Sequence, residues 1–266
     1  MILFLREINN KIIKIAYDEN LYYYNTNITE SIFSTFTKIY VSNNQLKNIF
    51  VDVYFGFVRS NINTYAMHIH STNEEGLIFS IIRELEFYLS YFFNCVSLHG
   101  SAVQFNGKNI LLLGKRKFGK STLTYNLISK YNANFIDDDC VFLLENKVVG
   151  FNFPICMRKL NNENFNYIYK GIDLDGIDRF LYMPQKCVNE IKSIDLVIFP
   201  QYQAGHKFDL NVLDKSETLS EIIKNVKNSF DIKTIFSYVT NMFSKSRGMI
   251  IGYSNCDDVY KYLISI

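Results

Sequence analysis

An α/β fold built around a phosphate-binding loop, with a β-rich region ahead of it, is what this sequence predicts, and three observations predict it. The apolar run Asn109-Ile110-Leu111-Leu112-Leu113 feeds Gly114-Lys115-Arg116-Lys117-Phe118-Gly119-Lys120-Ser121, a G-x-x-x-x-G-K-S loop, and Leu123, Leu127 and Ile128 then recur at helical spacing. Residues 1 to about 70 alternate runs of β-branched and aromatic residues with Asn-, Asp- and Ser-rich turns. A second apolar run, Asn134 to Leu144, is interrupted by three successive carboxylates, Asp137, Asp138 and Asp139.

The loop accounts for its own spacing. Glycines at 114 and 119 let successive backbone N–H groups turn inward on a phosphate chain, at the start of a helix whose dipole favours anions. Lys120 is then placed to reach the β- and γ-phosphates, and the Ser121 hydroxyl to ligate Mg²⁺. The expected nucleotide-contacting set is Gly114, Lys115, Arg116, Lys117, Phe118, Gly119, Lys120, Ser121 and Thr122.

Composition sets the outer bounds. With 266 residues and 48% hydrophobic content, the chain is long enough for a full core; a β-rich region over 1–72 and a catalytic domain over 73–266 are expected. A formal charge of +2, with basic residues scattered along the chain, argues against a nucleic-acid partner. The five cysteines lie far apart with no C-x-x-C pair, which predicts reduced thiols and a cytoplasmic setting. Met1-Ile2-Leu3-Phe4-Leu5 is cut off by Arg6-Glu7, too short for a signal peptide or membrane span, so no membrane partner is expected.

Taken in order, Lys11–Tyr17, Ile49–Val58 and Thr64–His70 read as strands. His68 and His70 share a face of the last, but no carboxylate or cysteine completes a metal site, so a structural role is expected. Thr72-Asn73-Glu74-Glu75 is a capping box. Behind it Ile78, Ile81, Ile82, Leu85, Tyr88, Leu89 and Phe92 predict an amphipathic helix of about five turns. Glu84 and Glu86 beside a lone Arg83 deny it the basic face of a membrane-surface helix. Cys95 to Phe105 then reads as one strand, closed by an Asn106-Gly107 hairpin turn that leads into the loop strand.

Three carboxylates among apolar residues call for a cation or a proton-transfer task, because burying charge is costly. Successive side chains on a strand face opposite ways, so at most two of Asp137, Asp138 and Asp139 are expected to act on a nucleotide.

Together, Leu98-His99-Gly100-Ser101-Ala102-Val103, the loop from Gly114 to Ser121, and Phe135-Ile136-Asp137-Asp138-Asp139-Cys140-Val141 resemble the core of the HPr kinase/phosphorylase superfamily, whose fold is similar to the nucleotide-binding part of PEP carboxykinase. The resemblance covers residues 88 to 160, more weakly the remainder. It implies a P-loop kinase core in which Lys120, His99 and the base Asp138, oriented by His99, are catalytic, and Ser121 and Asp139 hold the metal. Asp137 stands where the family usually has a small or apolar residue, so a register displaced by one within the triplet is the alternative. The cationic loop, Lys115 to Lys117, replaces one that is normally small, residues 1–90 do not look like the N-terminal domain of a full HPr kinase, and no phosphorylase signature follows residue 150. What remains resembles short HPr-kinase-like proteins found with ribosomally made peptides, such as lasso-peptide precursor kinases.

That resemblance implies ATP and Mg²⁺ as cofactors and a serine hydroxyl of a small peptide or protein as acceptor. Free serine, HPr, or a non-catalytic nucleotide-sensing role are the alternatives, and a homo-oligomer is left open. Arg158, Arg179 and Lys186 are the expected extra cations near the transferred group. Helices are expected over 217–228, capped by Ser216, over 231–244, and over 256–265, opened by Asn255.

Overall fold

The computed structural model describes the strands within residues 2–69, single helical positions between 79 and 93, and residues 93–266 except 145, 159–166, 168, 173–175 and 228–230. The chain is mixed α/β, with several sheets and, among the described residues, four defined helices. It divides into two compact units, Met1–Phe93 with Arg158–Met183, and Asn94–Met157 with Pro184–Ile266. The first unit thus runs to residue 93, and a later segment, Arg158–Met183, returns to it.

The first unit carries an antiparallel sheet of five strands, β1 (Ile2–Ile8), β2 (Lys11–Tyr17), β3 (Thr37–Tyr40), β4 (Val51–Phe57) and β5 (Asn63–Ile69), in the order β3-β1-β2-β4-β5. The three strands expected here correspond to β2, β4 and β5. Of the helix expected behind them, Phe79, Ile82, Arg83, Glu86, Leu89, Ser90 and Phe93 are helical, and its capping box lies outside the described residues. Glu86, expected on the polar side, is buried.

The second unit holds two sheets that exchange strands. One expected strand, Cys95 to Phe105, is in fact two, β6 (Val96–Leu98) and β7 (Gly100–Phe105), bent apart at His99. Asn106 and Gly107, both at positive φ (49° and 71°), make the tight turn into β8 (Lys108–Leu113). Helix α1 (Lys120–Ser129) follows the loop. The carboxylate run divides likewise, into β9 (Asn134–Asp137) and β10 (Val141–Leu144), and β10 pairs antiparallel with β11 (Lys147–Val149). Beyond β12 (Ile155–Met157), strands β13 (Tyr169–Ile172) and β14 (Asp178–Tyr182) form an antiparallel hairpin in the first unit.

The chain then supplies β15 (Glu190–Ile191), β16 (Leu196–Tyr202), β17 (Asp209–Leu213), helices α2 (Lys215–Ile223) and α3 (Ile232–Met242), β18 (Arg247–Tyr253) and α4 (Cys256–Ser265). The cap of α2 is Asp214, not Ser216. Its side chain accepts from Glu217 N while Glu217 closes back on the cap, and the Ser216 hydroxyl only supports Asp214. Asp231 and Asn255 cap α3 and α4.

The large sheet runs β17-β18-β16-β8-β7-β9, and the small one β15-β11-β10-β6. Strands β8, β16 and β18 are parallel, and β9, antiparallel to β7 as β7 is to β8, points the same way. Leu111 and Leu113 face a core with Val197, Phe199, Val239 and Phe243, while α1 and α4 bury Leu123, Leu127, Val259 and Leu263. Each such aliphatic side chain contributes roughly 1.5–3 kcal/mol relative to exposure, which fixes β8, and with it the loop at its carboxyl end. Among the described residues, no helix is long and apolar enough to cross a membrane, and all five cysteines are free thiols.

Candidate active site

The loop leaves β8 at Gly114 and enters α1 at Lys120, with Gly119 at φ 89° directly before the helix. Only glycine fits at 119: a Cβ there would collide with the Tyr253 hydroxyl and come within 2.9 Å of Tyr202 Cβ. Lys115, Arg116 and Lys117 are exposed, Lys117 adopting a left-handed backbone at φ 71°. Lys120 is instead buried and folded back over the loop, donating from Nζ to Gly114 O at 2.7 Å and Lys115 O at 3.1 Å. Burial lowers the pKa of its ammonium, opposed by Asp138 and Asp139.

Two corners meet beside this loop. His99 and Ser101 sit where the chain bends from β6 to β7, and Asp138 and Asp139 where it bends from β9 to β10. Pairing of Leu98 with Val141 in the small sheet and of Ala102 with Asp137 in the large one sets the corners face to face. Asp139 turns its corner at φ 63°, a conformation Asp tolerates better than most residues.

The three carboxylates have three environments. Asp137 is wholly buried and taken up by backbone, its oxygens accepting from Phe151 N at 2.7 Å and Asp138 N at 3.1 Å. Asp138 is also buried, its Oδ1 accepting from the hydroxyls of Ser101 and, at 3.2 Å, Ser121. Its Oδ2 is buried with no hydrogen-bond partner among the described residues. Burial pushes its pKa up to about 6, against those hydrogen bonds and with help from the neighbouring Asp139 charge. Asp139 has a side chain 52% exposed and meets His99 Nδ1 at 3.0 Å and Lys227 Nζ at 3.8 Å. Burial would raise its pKa, but the His99 hydrogen bond and the cations Lys227 and Lys120 outweigh it and hold the carboxyl well below the usual range.

His99 thus bridges Asp139 to Lys120, whose Nζ lies 3.1 Å from His99 Nε2. A neutral ring protonated on Nδ1 satisfies both contacts. His99, Lys120, Ser121, Asp138 and Asp139 therefore lie within one hydrogen-bonded cluster, but the expected orienting contact of His99 on Asp138 is replaced by one on Asp139. The other expected cations are Lys186, Arg158 and Arg179. Lys186 is engaged by Asn132 Oδ1 at 2.6 Å, and its carbonyl binds Phe135 N, two residues before Asp137 on β9; Arg158 and Arg179 belong to the other unit.

The sequence reading missed four residues. Ser101 holds Asp138. Lys227 arrives because the segment after α2 pairs beside β6, with His99 N bonded to Asn225 O, Lys227 N to Ser97 O and Val226 bridged to Leu98; its ammonium also donates to Asp139 O at 3.1 Å. On the opposite flank Tyr253 Oη donates to Gly119 O at 3.3 Å, and Tyr202 N to Phe118 O at 3.3 Å.

Among the described residues, no group of three His, Cys, Asp or Glu side chains could hold a metal unaided. The oxygen donors Ser121, Asp138 and Asp139 suit a hard cation that keeps water and phosphate ligands, as Mg²⁺ does, and the Oδ2 of Asp138 is left as an unpartnered acceptor beside them.

Comparison with protein-family models and with curated proteins finds no match for this chain. Among solved structures it is similar to the Hpr(Ser) kinase/phosphatase from Coxiella burnetii, at 13% identity over 64% of this chain and 88% of that one, with a TM-score of 0.31, too distant a likeness to fix fold or function.

Proposed function

We propose that this chain is a P-loop kinase of the HPr-kinase-like type, which moves the γ-phosphoryl group of Mg·ATP to a serine hydroxyl of a small peptide or protein. The observation that carries the reading is Asp138, a buried carboxyl raised to about 6, bonded to the loop's own Ser121 and holding a free oxygen beside the phosphate cradle. A general base serves best with a pKa near the working pH, and burial, helped by the neighbouring Asp139 charge, has moved this one toward it.

In this reading the backbone of 114–121 and the Lys120 ammonium bind the phosphates, Lys120 exchanging the loop carbonyls for phosphate oxygens. The acceptor oxygen attacks the γ-phosphorus, the bond to the β-phosphate oxygen breaks, ADP leaves, and the hydroxyl proton passes to Asp138. Ser121 and Asp139 would hold Mg²⁺, which when bound supplies charge neutralisation on the β- and γ-oxygens. His99 and Lys227 keep Asp139 ionised for that task.

One observation favours a second arrangement of the same parts. Ser121 is hydrogen-bonded to Asp138 and His99 to Asp139, so Asp138 would be the metal-side carboxylate and Asp139 the base. The exposed Lys115, Arg116 and Lys117 support an acceptor larger than a metabolite, because they set a cationic rim around the γ-phosphate end.

The acceptor is tested by incubating the protein with Mg·ATP and, separately, a precursor peptide from its own gene neighbourhood, free serine, and HPr, and reading intact mass. The peptide is expected to gain one phosphate. A gain on serine or HPr with every peptide unchanged overturns the acceptor; no gain anywhere favours a nucleotide sensor.

A further inference from the structure

We infer that the nucleoside end of a bound nucleotide lies against Tyr202, whose half-bare ring at the end of β16 is a platform for the base. The inference rests on the nucleotide reading above and extends it to a part of the ligand that no phosphate contact reaches.

The direction follows from strand order. Along the carboxyl edge of the large sheet stand, in sequence, Asp138 and Asp139 after β9, the glycine loop after β8, Tyr202 closing β16 and Tyr253 closing β18. The reacting phosphate must face the carboxylates, so the chain of phosphates runs away from them and the nucleoside emerges on the β16 side.

What waits there is a fixed aromatic surface. Tyr202 remains 47% exposed, although its backbone N is tied to Phe118 O in the loop. Its ring meets that of Tyr253 edge to face, with centroids 5.7 Å apart at 68°, and Tyr253 is wholly buried with its hydroxyl on Gly119 O. Such a ring has little conformational freedom left to lose when a second ring stacks on its open side. Beyond it, Gln203 to His206 form a tight polar turn, with His206 N on Gln203 O and Gly205 at φ 75°. A base held by one π-face has no hydrogen-bond code to satisfy, so adenine and guanine nucleotides are expected to bind alike.

Calorimetric titration of wild type, Tyr202→Phe, Tyr202→Leu and Tyr202→Ala with Mg·ATP, Mg·GTP and Mg·tripolyphosphate tests this. Wild type should bind both nucleotides more tightly than tripolyphosphate. The Leu and Ala variants should lose roughly fivefold to a hundredfold for the nucleotides with tripolyphosphate unchanged, the usual worth of base–aromatic stacking, and Phe should retain nucleotide affinity. Equal losses for tripolyphosphate and ATP would make Tyr202 a buttress of the loop, and unchanged ATP affinity in Tyr202→Ala would leave it without a ligand role; either overturns the inference alone. Failure of wild type to bind any of the three overturns the nucleotide reading and this inference with it.

Discussion

The two flanks of the glycine loop are made of opposite materials. Toward β9 lie two carboxylates, two cations, an imidazole and two hydroxyls, crowded so that Asp138 is raised and Asp139 lowered although they are neighbours in sequence. Toward β16 lie two tyrosine rings and backbone hydrogen bonds. Titratable groups with divergent pKa values mark the flank where a proton can move, and a fixed apolar surface marks the flank where a ligand is only held. Under the proposed nucleotide reading, the difference gives chemistry to one end of the ligand and recognition to the other, and variants can separate the two.

Lys120 rises from the loop itself, folded back over Gly114 and Lys115, so its loss should have the largest effect. Lys120→Ala is expected to reduce phosphoryl transfer by about 10³–10⁵-fold, the worth of a cation at a transferring phosphoryl group, and to weaken Mg·tripolyphosphate as much as Mg·ATP. Turnover assays and titration on the folded variant check this, and full activity would remove the phosphate-loop reading.

Next come the carboxylates, which should alter chemistry while sparing the aromatic flank. Asp138→Asn cannot accept a proton, so turnover should fall by roughly 10²–10⁴-fold while Mg·ATP still binds. Asp139→Asn should instead raise the Mg²⁺ requirement. If the two phenotypes are exchanged, the roles follow the hydrogen bonds of Ser121 and His99, and the second arrangement holds. If neither variant differs from wild type, the site is not catalytic.

A smaller effect is expected from Lys227→Met. Its ammonium stands 3.8 Å from a half-exposed Asp139 carboxylate, a pair worth roughly 0.2–1 kcal/mol, so turnover at saturating Mg·ATP should fall only about two- to fivefold. A loss as deep as that of Asp138→Asn would make Lys227 a direct contact of the transferred group.

How far the sequence reveals this contrast depends on which flank is read. The loop and the carboxylate run carry local spacing with a chemical reason and are legible, whereas His99 is named only by the family resemblance. Which of the three acids acts is not legible, because alternation along a strand excludes one without naming it; Phe151 N, fourteen residues on, decides that Asp137 is the one taken up by backbone. The bend at His99 is hidden for a related reason: Cys95 to Phe105 reads as one strand, and only the partners of Leu98 and Ala102 in different sheets divide it. Lys227 comes to the site through the pairing of Val226 and Lys227 with β6, more than 100 residues away, and Tyr253 through the pairing of β18 with β16, which no local pattern contains. Residues 247–253 do contain an apolar run, Met249-Ile250-Ile251, which signals a buried strand before its place in the sheet is known.

A further effect is expected on stability, and it tests the carboxylate flank without any ligand. The Asp138 carboxyl is raised from 3.8 to about 6 in the folded chain, so between those values the folded state binds a proton that the unfolded state has lost. Stability from this group is therefore full below about pH 4 and falls as pH rises through about 6, leaving an ionised, buried carboxylate that destabilises the fold. Each pKa unit corresponds to about 1.4 kcal/mol, so the ceiling is about 3 kcal/mol. Asp138→Asn removes that charge at similar size, and the hydroxyls of Ser101 and Ser121 can turn to accept from its amide. At pH 8 the variant should unfold about 1–3 kcal/mol later than wild type, and by pH 4 the two should coincide, as measured by urea denaturation at both pH values. Equal destabilisation at both would mean that ionising Asp138 costs the fold nothing. A gain at pH 8 joined to lost turnover would show a carboxylate kept at the expense of stability, the signature expected of a catalytic group.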